Sequence, residues 1–580
     1  MSTQLSVSAR ELTAERTPGR KQPTLLMLTL AGVAALAVVA PFFFLGNASG
    51  HDFEFHLASW MEVARQWHAG VLYPRWAALA NWGYGEPRFI FYPPASWMLG
   101  AALSFIFPWS MVPGAFIWLA LTLAGVSMFR LAREWLPDRD AMAAGVLFAV
   151  NPYHLVLVYW RSDFAELLAS ALIPLAVLVA MRTAMEPRRA FLPLALVTAA
   201  FWLCNAPAAV VLSYMIALVL VAVAVRGRSA RPLVYGGVAL ALGLALVAFY
   251  LVPAAFEQGW VNISEVLSQG LRIQENFLFT GTADPEHVRF NSIVSWVAVG
   301  MMVTTVAATI GTSRLRREHP RLWWVLVAMV AASILLMLPV TSAVWIYLPK
   351  LRYVQFPWRW LLVLDVPFAF CLAAAMGRLR GASKPIAWTM ALAGLAITGF
   401  LLTRSNWWDA GGAADFYEEH FRTGAGYFGA DEYGPRGSDH YDLNQQAPLV
   451  ALNGAANVGA EPGSVKVEQW TPLRKYFVVR TPQPATAALR LLNYPAWRVE
   501  VSGKPVRALS NPKTGQMLLA LPAGVSRVQV TFAATADRLW GNAISAVAAL
   551  ALLAAVLASR RRKAGLPSAQ AGYATLSRQD

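Results

Sequence analysis

Apolar runs long enough to cross roughly 30 Å of hydrocarbon recur at about residues 24–45, 112–131, 141–158, 167–182, 190–204, 208–225, 233–254, 291–312, 322–340, 359–377, 385–403 and 537–559. They predict twelve transmembrane helices. A further run, Ala95 to Phe107, is about 13 residues long between Pro93–Pro94 and Pro108, which predicts a short, re-entrant or interfacial helix that does not span. Phe53 to His68 has helical spacing. Phe53, Leu57, Trp60, Ala64 and Trp67 share one face, and Asp52, His56, Ser59, Glu62 and Gln66 share the other. The pattern predicts a helix lying along the membrane surface, its Trp-bearing face among the headgroups and its polar face lining an aqueous cleft. From Val465 onward the period changes to two. The runs VKVEQW, YFVVRT, ALRLLN, WRVEVSG, MLLALP and RVQVTF, punctuated by Pro and Gly, predict antiparallel strands of a compact β-sandwich. The stretch from Trp407 to Asn457, rich in Gly, Asp, Tyr and His, reads as irregular.

Composition settles the class as a polytopic α-helical membrane protein: 57% of the 580 residues are hydrophobic and only 14% are charged. The formal charge of +16 is carried by loops: Arg10, Arg16, Arg20 and Lys21; Arg130, Arg133 and Arg139; Arg182, Arg188 and Arg189; Arg226, Arg228 and Arg231; Arg314 to Arg321; Arg378, Arg380 and Lys384; and Arg560 to Lys563. All seven groups fall on one side only if residues 95–131 cross once, so the positive-inside rule places both termini in the cytoplasm. The charge is then a topology signal and a contact with anionic headgroups, not a nucleic-acid footprint. This divides the chain into a cytoplasmic tail (1–23), a membrane module (24–403) with an outer loop at 47–93, an extracytoplasmic β-rich domain (404–536), a final span (537–559) and a second tail (560–580). The first apolar run, about 22 residues, is longer than a signal-peptide core and reads as a retained anchor. Cys204 and Cys371 both fall in predicted spans, which excludes a disulfide framework and a Cys-based metal site. No internal repeat is evident, which weighs against a transporter of duplicated halves.

In so apolar a chain, a polar loop at the first membrane exit is where chemistry is expected. That loop opens SGHDFEFH, with His51, Asp52, Glu54 and His56, and closes GYGEPRFIFYPP, with Tyr92. Two readings of Asp52 compete. Ser49-x-x-Asp52 fits a helix-capping box, whereas a second acidic turn on the same side, RSDFAE (Arg161 to Glu166), predicts that Asp52, Asp163 and Glu166 converge on one site. For His51 and His56 a surface hydrogen-bonding role is as well founded as catalysis, and two His without matched carboxylates define no zinc site. Asp365, in WLLVLDVPF, is the one acid deep in a predicted span and is read evenly as structural or functional.

Several of these pieces together resemble the GT-C superfamily of polyprenyl-phosphate-sugar-dependent membrane glycosyltransferases. They are the early outer-loop Asp52, LYPRW (Leu72 to Trp76), GYGEPRFIFYPP, RSDFAE, LPKLRYVQFPWRWL (Leu348 to Leu361), YPAWRVEVSGKPV (Tyr494 to Val506) and LPAGVSRVQVTF. More narrowly, the chain resembles the bacterial membrane proteins labelled 6-pyruvoyl-tetrahydropterin synthase related, akin to the YfhO-like branch. That label refers to a soluble enzyme with a His-ligated zinc, a ligand set this chain does not reproduce. Where the narrower family is expected to have a His after the fifth span, this chain has Asn205.

The resemblance implies a GT-C-like fold and an inverting transfer of sugar from a polyprenyl phosphate to a glycan, lipid or protein acceptor, at the outer face of a bacterial inner membrane. It carries the catalytic carboxylate onto Asp52. The chemistry agrees, because such a transfer needs a carboxylate to orient or deprotonate the acceptor hydroxyl and cations to meet the leaving phosphate. Asp163 and Glu166 are the companion catalytic candidates, and with Asp52 they are the candidate ligands of a Mg or Mn ion. No zinc and no nucleotide cofactor is expected. Candidate substrate contacts are His51, Glu54, His56, Arg161, Arg352, Arg359 and Tyr92; Arg352 and Arg359 are preferred for phosphate because they flank Tyr353, Phe356 and Trp358. Arg75, Arg88, Arg272 and Arg289 lie on the same predicted side, each better read as an interfacial anchor. The competing function is a non-catalytic relative, a lipid or glycan transporter or an envelope-assembly scaffold.

Overall fold

In the computed structural model, residues 22–404, 407–409, 412–452 and 464–564 are described. The basic residues Arg10, Arg16, Arg20 and Lys21 lie outside them. Nine helices among the described residues are long and apolar enough to cross a membrane. Two helix pairs pass the same test only together and are sharply bent, Arg231–Leu246 with Ala248–Trp260 (75°) and Pro320–Leu336 with Pro339–Tyr347 (91°), so the described residues hold nine candidate spans, or eleven if each pair is one broken span. The run at 190–204 forms the 18-residue helix Pro187–Cys204, continuous through Pro193, but it is not among the helices that meet the length and hydropathy of a span, so the count falls short of the twelve expected. Pro94–Leu103 is a helix of only 10 residues, about half the length that spans hydrocarbon.

The basic loops meet at one end of the bundle. Arg182 pairs with Glu134 at 2.6 Å, Arg226 lies 5.7 Å from the Trp324 ring, and Arg378 donates to the Gly311 carbonyl. At the opposite end sits a β-sandwich of two antiparallel sheets. One orders its strands Val465–Trp470, Arg474–Thr481, Gly524–Phe532, Trp497–Val501, Lys504–Val506; the other orders Val450–Leu452, Ala485–Leu492, Gln516–Leu521, Leu509–Ser510. Alternate residues such as Phe477, Val479, Leu489, Leu491, Met517, Leu519, Val528 and Val530 point inward and form its core, as the period-two pattern requires.

Trp76, Tyr84, Ile90 and Val261, from two loops of the membrane module, belong to the same core. The Leu492 amide donates to the Tyr84 carbonyl at 2.9 Å, and Arg490 Nε donates to the Trp82 carbonyl at 2.6 Å. The sandwich is therefore seated on the loop that carries Asp52.

This seating changes the amphipathic helix. Phe53–His68 is helical, but both of its faces are buried instead of lying between headgroups and water. On the apolar face Trp60 is wholly buried and stacks on Phe116 at 5.2 Å. On the polar face Glu62 accepts from the Ala78 and Leu79 amides and from Gln66. Gln66 in turn donates to the Trp76 carbonyl. Sequence periodicity identifies residues that share a face; here the polar face ties down the loop beneath the sandwich.

Candidate functional site

The start of the outer loop is held at two places. Asn47–Ala48 pairs antiparallel with Trp408–Asp409. Next to it, Gly50 N donates to Ser162 Oγ at 2.9 Å, Ser162 Oγ donates to the Ala48 carbonyl at 2.8 Å, and the Asp52 amide donates to the Arg161 carbonyl at 2.9 Å. A Cβ on Gly50 would run into the Trp160 carbonyl, so glycine is required for this approach. The partner segment is unusual too: Leu157–Arg161 is a π-helical turn, and Ser162 takes a left-handed conformation (φ 49°). Such turns concentrate at functional sites. Here the turn aims Arg161 at the acids.

Five charged side chains meet there. Arg161 Nη2 donates to Asp52 Oδ2 at 2.6 Å and to Asp163 Oδ2 at 3.1 Å. Arg359 Nη2 reaches Asp163 Oδ2 at 3.4 Å, and its Nε reaches Glu166 Oε2 at 2.7 Å. The Tyr153 hydroxyl donates to Glu166 Oε1. Phe356 and Trp358 pack against the guanidiniums, with Arg161 5.0 Å from the Phe356 ring and 5.3 Å from Trp358. Asp163, Glu166, Arg161 and Arg359 are buried; Asp52, with a side chain 36% exposed, is the acid of this cluster that reaches solvent.

The capping question resolves by the same geometry. Asp52 occupies the N-cap position of Phe53–His68 but makes no side-chain cap bond. The cap is Asp163, whose Oδ1 accepts from the Glu166 amide at 2.9 Å and begins the helix Phe164–Ser170. Burial works to raise the Asp163 carboxyl, yet Arg161, Arg359 and His56 prevail and hold it below the ordinary aspartate range. Asn205, where a His was expected, is a cap as well: its Oδ1 accepts from the Ala208 amide at 2.9 Å, beside the same cavity.

That cavity, of about 750 Å³, is lined by Asp52, Arg161, Asp163, Arg359, His51 and Tyr92 among others. His51 packs on Phe290 at 4.7 Å, and burial together with Arg161 lowers its pKa, favouring the neutral ring. His56 is buried behind the wall, 3.9 Å from Asp163 and 3.5 Å from the Tyr92 hydroxyl. Burial lowers its pKa despite the nearby Asp163.

Besides His56, two expected contacts lie away from the cavity. Glu54 points to the other side of its helix and accepts from the Tyr417 hydroxyl at 2.9 Å, in a separate small cavity. Arg352 is exposed, donates to the Tyr353 hydroxyl and does not line the site cavity. The short turn Leu351–Val354 is bracketed by left-handed Lys350 (φ 62°) and Gln355 (φ 67°), which bring Lys350, Tyr353 and Gln355 to the cavity in its place. Lys350 and the half-buried Glu432 were missed from sequence. Arg352 offers a like charge two residues on from Lys350, and Glu432 lies in a stretch whose pattern reads as irregular.

Asp163 and Glu166, two of the three expected cation ligands, are committed to other partners. Both oxygens of Asp163 and of Glu166 already receive N–H or O–H donors, and a metal would have to displace two guanidiniums. Among the described residues no group of three or more His, Cys, Asp or Glu is arranged to hold a metal ion. Asp365 stands apart, fully buried, with His154 Nε2 3.7 Å away.

A second cavity, also of about 750 Å³ and mainly apolar, lies between the helices Pro285–Gly311, Leu361–Gly377 and Ser383–Arg404. Trp160 lines it and Phe290 lines the charged cavity, with the two rings 5.8 Å apart.

Fold and site together define a multi-spanning membrane protein whose β-sandwich is seated over a pocket of paired carboxylates and guanidiniums. The chain belongs to the 6-pyruvoyl-tetrahydropterin synthase related family of membrane proteins, whose family model matches residues 89–407, more than half of its length. No curated protein matches it. Among solved structures it is similar to the arabinofuranosyltransferase AftD from Mycobacteria (18% identity, TM-score 0.42, covering 65% of this chain and 26% of that one). It is similar also to ArnT from Cupriavidus metallidurans bound to undecaprenyl phosphate (14%, 0.39, 64% and 62%). A third similar structure is the Archaeoglobus fulgidus oligosaccharyltransferase (14%, 0.40, 66% and 56%). The chain thus spans from about a quarter to just over three fifths of the length of these proteins.

Proposed function

We propose that this protein transfers a sugar, with inversion, from a polyprenyl phosphate to a hydroxyl-bearing acceptor at the outer face of a bacterial inner membrane. The observation that carries the reading is the asymmetry of the acid cluster: Asp163 and Glu166 are buried with both oxygens of each hydrogen-bonded, while Asp52 is held by Arg161 through one oxygen and is exposed to the cavity. Asp163 and Glu166 act as positioning residues that fix the two guanidiniums. Asp52 faces the reacting sugar and orients the acceptor hydroxyl. Arg161, Arg359 and Lys350 meet the charge that develops on the leaving phosphate, the role of preorganised cations in group transfer. Lys350 makes no ion pair among the described residues, so it is free for an anion. The apolar cavity beyond Trp160 and Phe290 suits the isoprenoid chain.

Two features weigh against transport. Asp365 and His154 have no exposure at all, and neither lines the charged cavity, so the cluster does not extend into a polar path among the described residues. Asp52→Asn is expected to reduce sugar transfer by roughly 10²-fold or more, the scale of a lost orienting contact, while expression and thermal stability stay near wild type. Release of polyprenyl phosphate from purified protein in lipid nanodiscs measures this. A fully active Asp52→Asn protein would exclude the assignment.

A further inference from the structure

Glu432 stands in the wall of the same cavity as Asp52, on a segment contributed from beyond the last helix of the membrane module. Its 3-10 turn, Asp431–Tyr433, is pinned from two directions. The Ala430 amide donates to Glu86 Oε2 at 2.9 Å, and the Asn262 amide donates to the Gly434 carbonyl at 3.0 Å. Tyr433 is buried and stacks on Phe91 at 5.7 Å with the planes 8° apart. The carboxyl is therefore held in place by the two outer loops that frame the cavity.

Its surroundings differ from those of the other acids. Asp52, Asp163 and Glu166 each face a guanidinium. Glu432 makes no ion pair among the described residues, and Arg88, the cation nearest to influencing it, is committed to Glu86 at 2.6 Å. Asp431, Glu86 and Tyr433 stand close on its own side, and His51, Asp52, Arg161, Asp163, His287, Lys350 and Arg359 line the rest of the cavity. Burial, opposed by its own backbone amide and by Arg88 and reinforced by Glu86 and Asp431, pushes its carboxyl up to about 7. A carboxylate gripped by a guanidinium is a weak base, whereas an unpaired one that titrates near working pH suits proton transfer.

We propose that Glu432 is the general base that takes the proton from the acceptor hydroxyl. This rests on the glycosyl-transfer reading above. In the step, the acceptor oxygen bonds to C1 of the sugar and the C1–O bond to phosphate breaks. The bonding pair leaves with the polyprenyl phosphate, and the hydroxyl proton passes to the Glu432 carboxylate and then to water. The charged carboxylate is the working form, so the rate rises with pH through about 7.

The test uses full-length protein in nanodiscs, a panel of polyprenyl-phosphate pentoses and hexoses as donors, and a cell-envelope glycan extract as acceptor, with release of polyprenyl phosphate measured against pH. Glu432→Gln is expected to lose 10²- to 10⁴-fold in rate together with the inflection, and to keep its affinity for donor. Glu432→Asp should restore part of the rate with the inflection displaced. Infrared difference spectra between about pH 6 and about pH 8 should show a protonated-carboxyl band in wild type that Glu432→Gln lacks. An active wild type whose Glu432→Gln variant keeps both rate and inflection overturns the assignment of Glu432 alone. A wild type that releases no polyprenyl phosphate from any donor at any pH overturns glycosyl transfer itself.

Discussion

Arg359 is the residue whose removal should do most damage to the acid cluster. Its Nε lies 2.7 Å from Glu166 Oε2 and its Nη2 lies 3.4 Å from Asp163 Oδ2, and both carboxylates are buried. In Arg359→Met, Glu166 keeps the Tyr153 hydroxyl and Arg161 at 3.9 Å, while Arg161 must serve Asp52 and Asp163 as well. Three acids then share one guanidinium. Stranding a buried charge costs about 3–5 kcal/mol, and the crowding on Arg161 places this case toward the upper end. Glu166→Gln in the Arg359→Met background removes the stranded charge, so the double variant should be less destabilised than the two single losses added together, by about 2–3 kcal/mol. The lost bond from Arg359 Nη1 to the Val354 carbonyl is common to both Arg359 variants and cancels in the cycle. Reversible unfolding in mixed micelles, followed by tryptophan fluorescence on wild type, both single variants and the double, gives the coupling directly. Additivity within about 0.5 kcal/mol would refute the claim that these groups form one buried network.

Two further outcomes are expected. Lys350→Ala should raise the donor KM roughly 2- to 10-fold, with kcat and stability little changed, and the effect should shrink at high salt because the charge is exposed; an unchanged KM at low salt would remove Lys350 from the phosphate site. In the sandwich, Lys475 points inward between Trp470 and Trp497, its ammonium 5.4 and 5.2 Å from their rings, and burial pushes its amine from 10.5 down to about 7. An amine whose folded pKa is depressed contributes full stability only above its unfolded value, so wild-type stability should fall as pH drops from about 10.5 toward about 7. Lys475→Met should flatten that dependence and raise the melting temperature at neutral pH; scans across that range decide it.

The spans were legible because hydrocarbon requires a continuous apolar helix of about 20 residues, a signal that survives without any tertiary knowledge. The bends at Val247 and near Pro339 were not, since hydropathy averages over a break that leaves composition unchanged. Asp52, Arg161, Asp163, Glu166 and Arg359 were all singled out from sequence, and the structure brings them together. What spacing could not separate was role. Ser49-x-x-Asp52 and Asp163-x-x-Glu166 have the same three-residue spacing, but only the second acts as a cap, because only Asp163 presents an oxygen to its own helix. Glu54 is expected at the site as part of the polar outer loop and Arg352 because it flanks Tyr353, Phe356 and Trp358; a helix face in one case and two left-handed residues in the other turn them away. Glu432 could not be found locally. Its place depends on contacts with Glu86 and Asn262, far along the chain, that no pattern within the 407–457 stretch encodes.

The two-residue ladder between Asn47–Ala48 and Trp408–Asp409 also sets a timetable. During synthesis the first membrane exit is made early, but its partner strand must wait for residue 409, a delay of roughly 20–70 s at ordinary elongation speeds. Arg359 and the seating of Tyr84 against Leu492 arrive late as well. The nascent chain therefore passes through a long interval in which Asp52, Asp163 and Glu166 have Arg161 within reach but not yet Arg359. The complete cluster and its cover exist only once most of the polypeptide has left the ribosome.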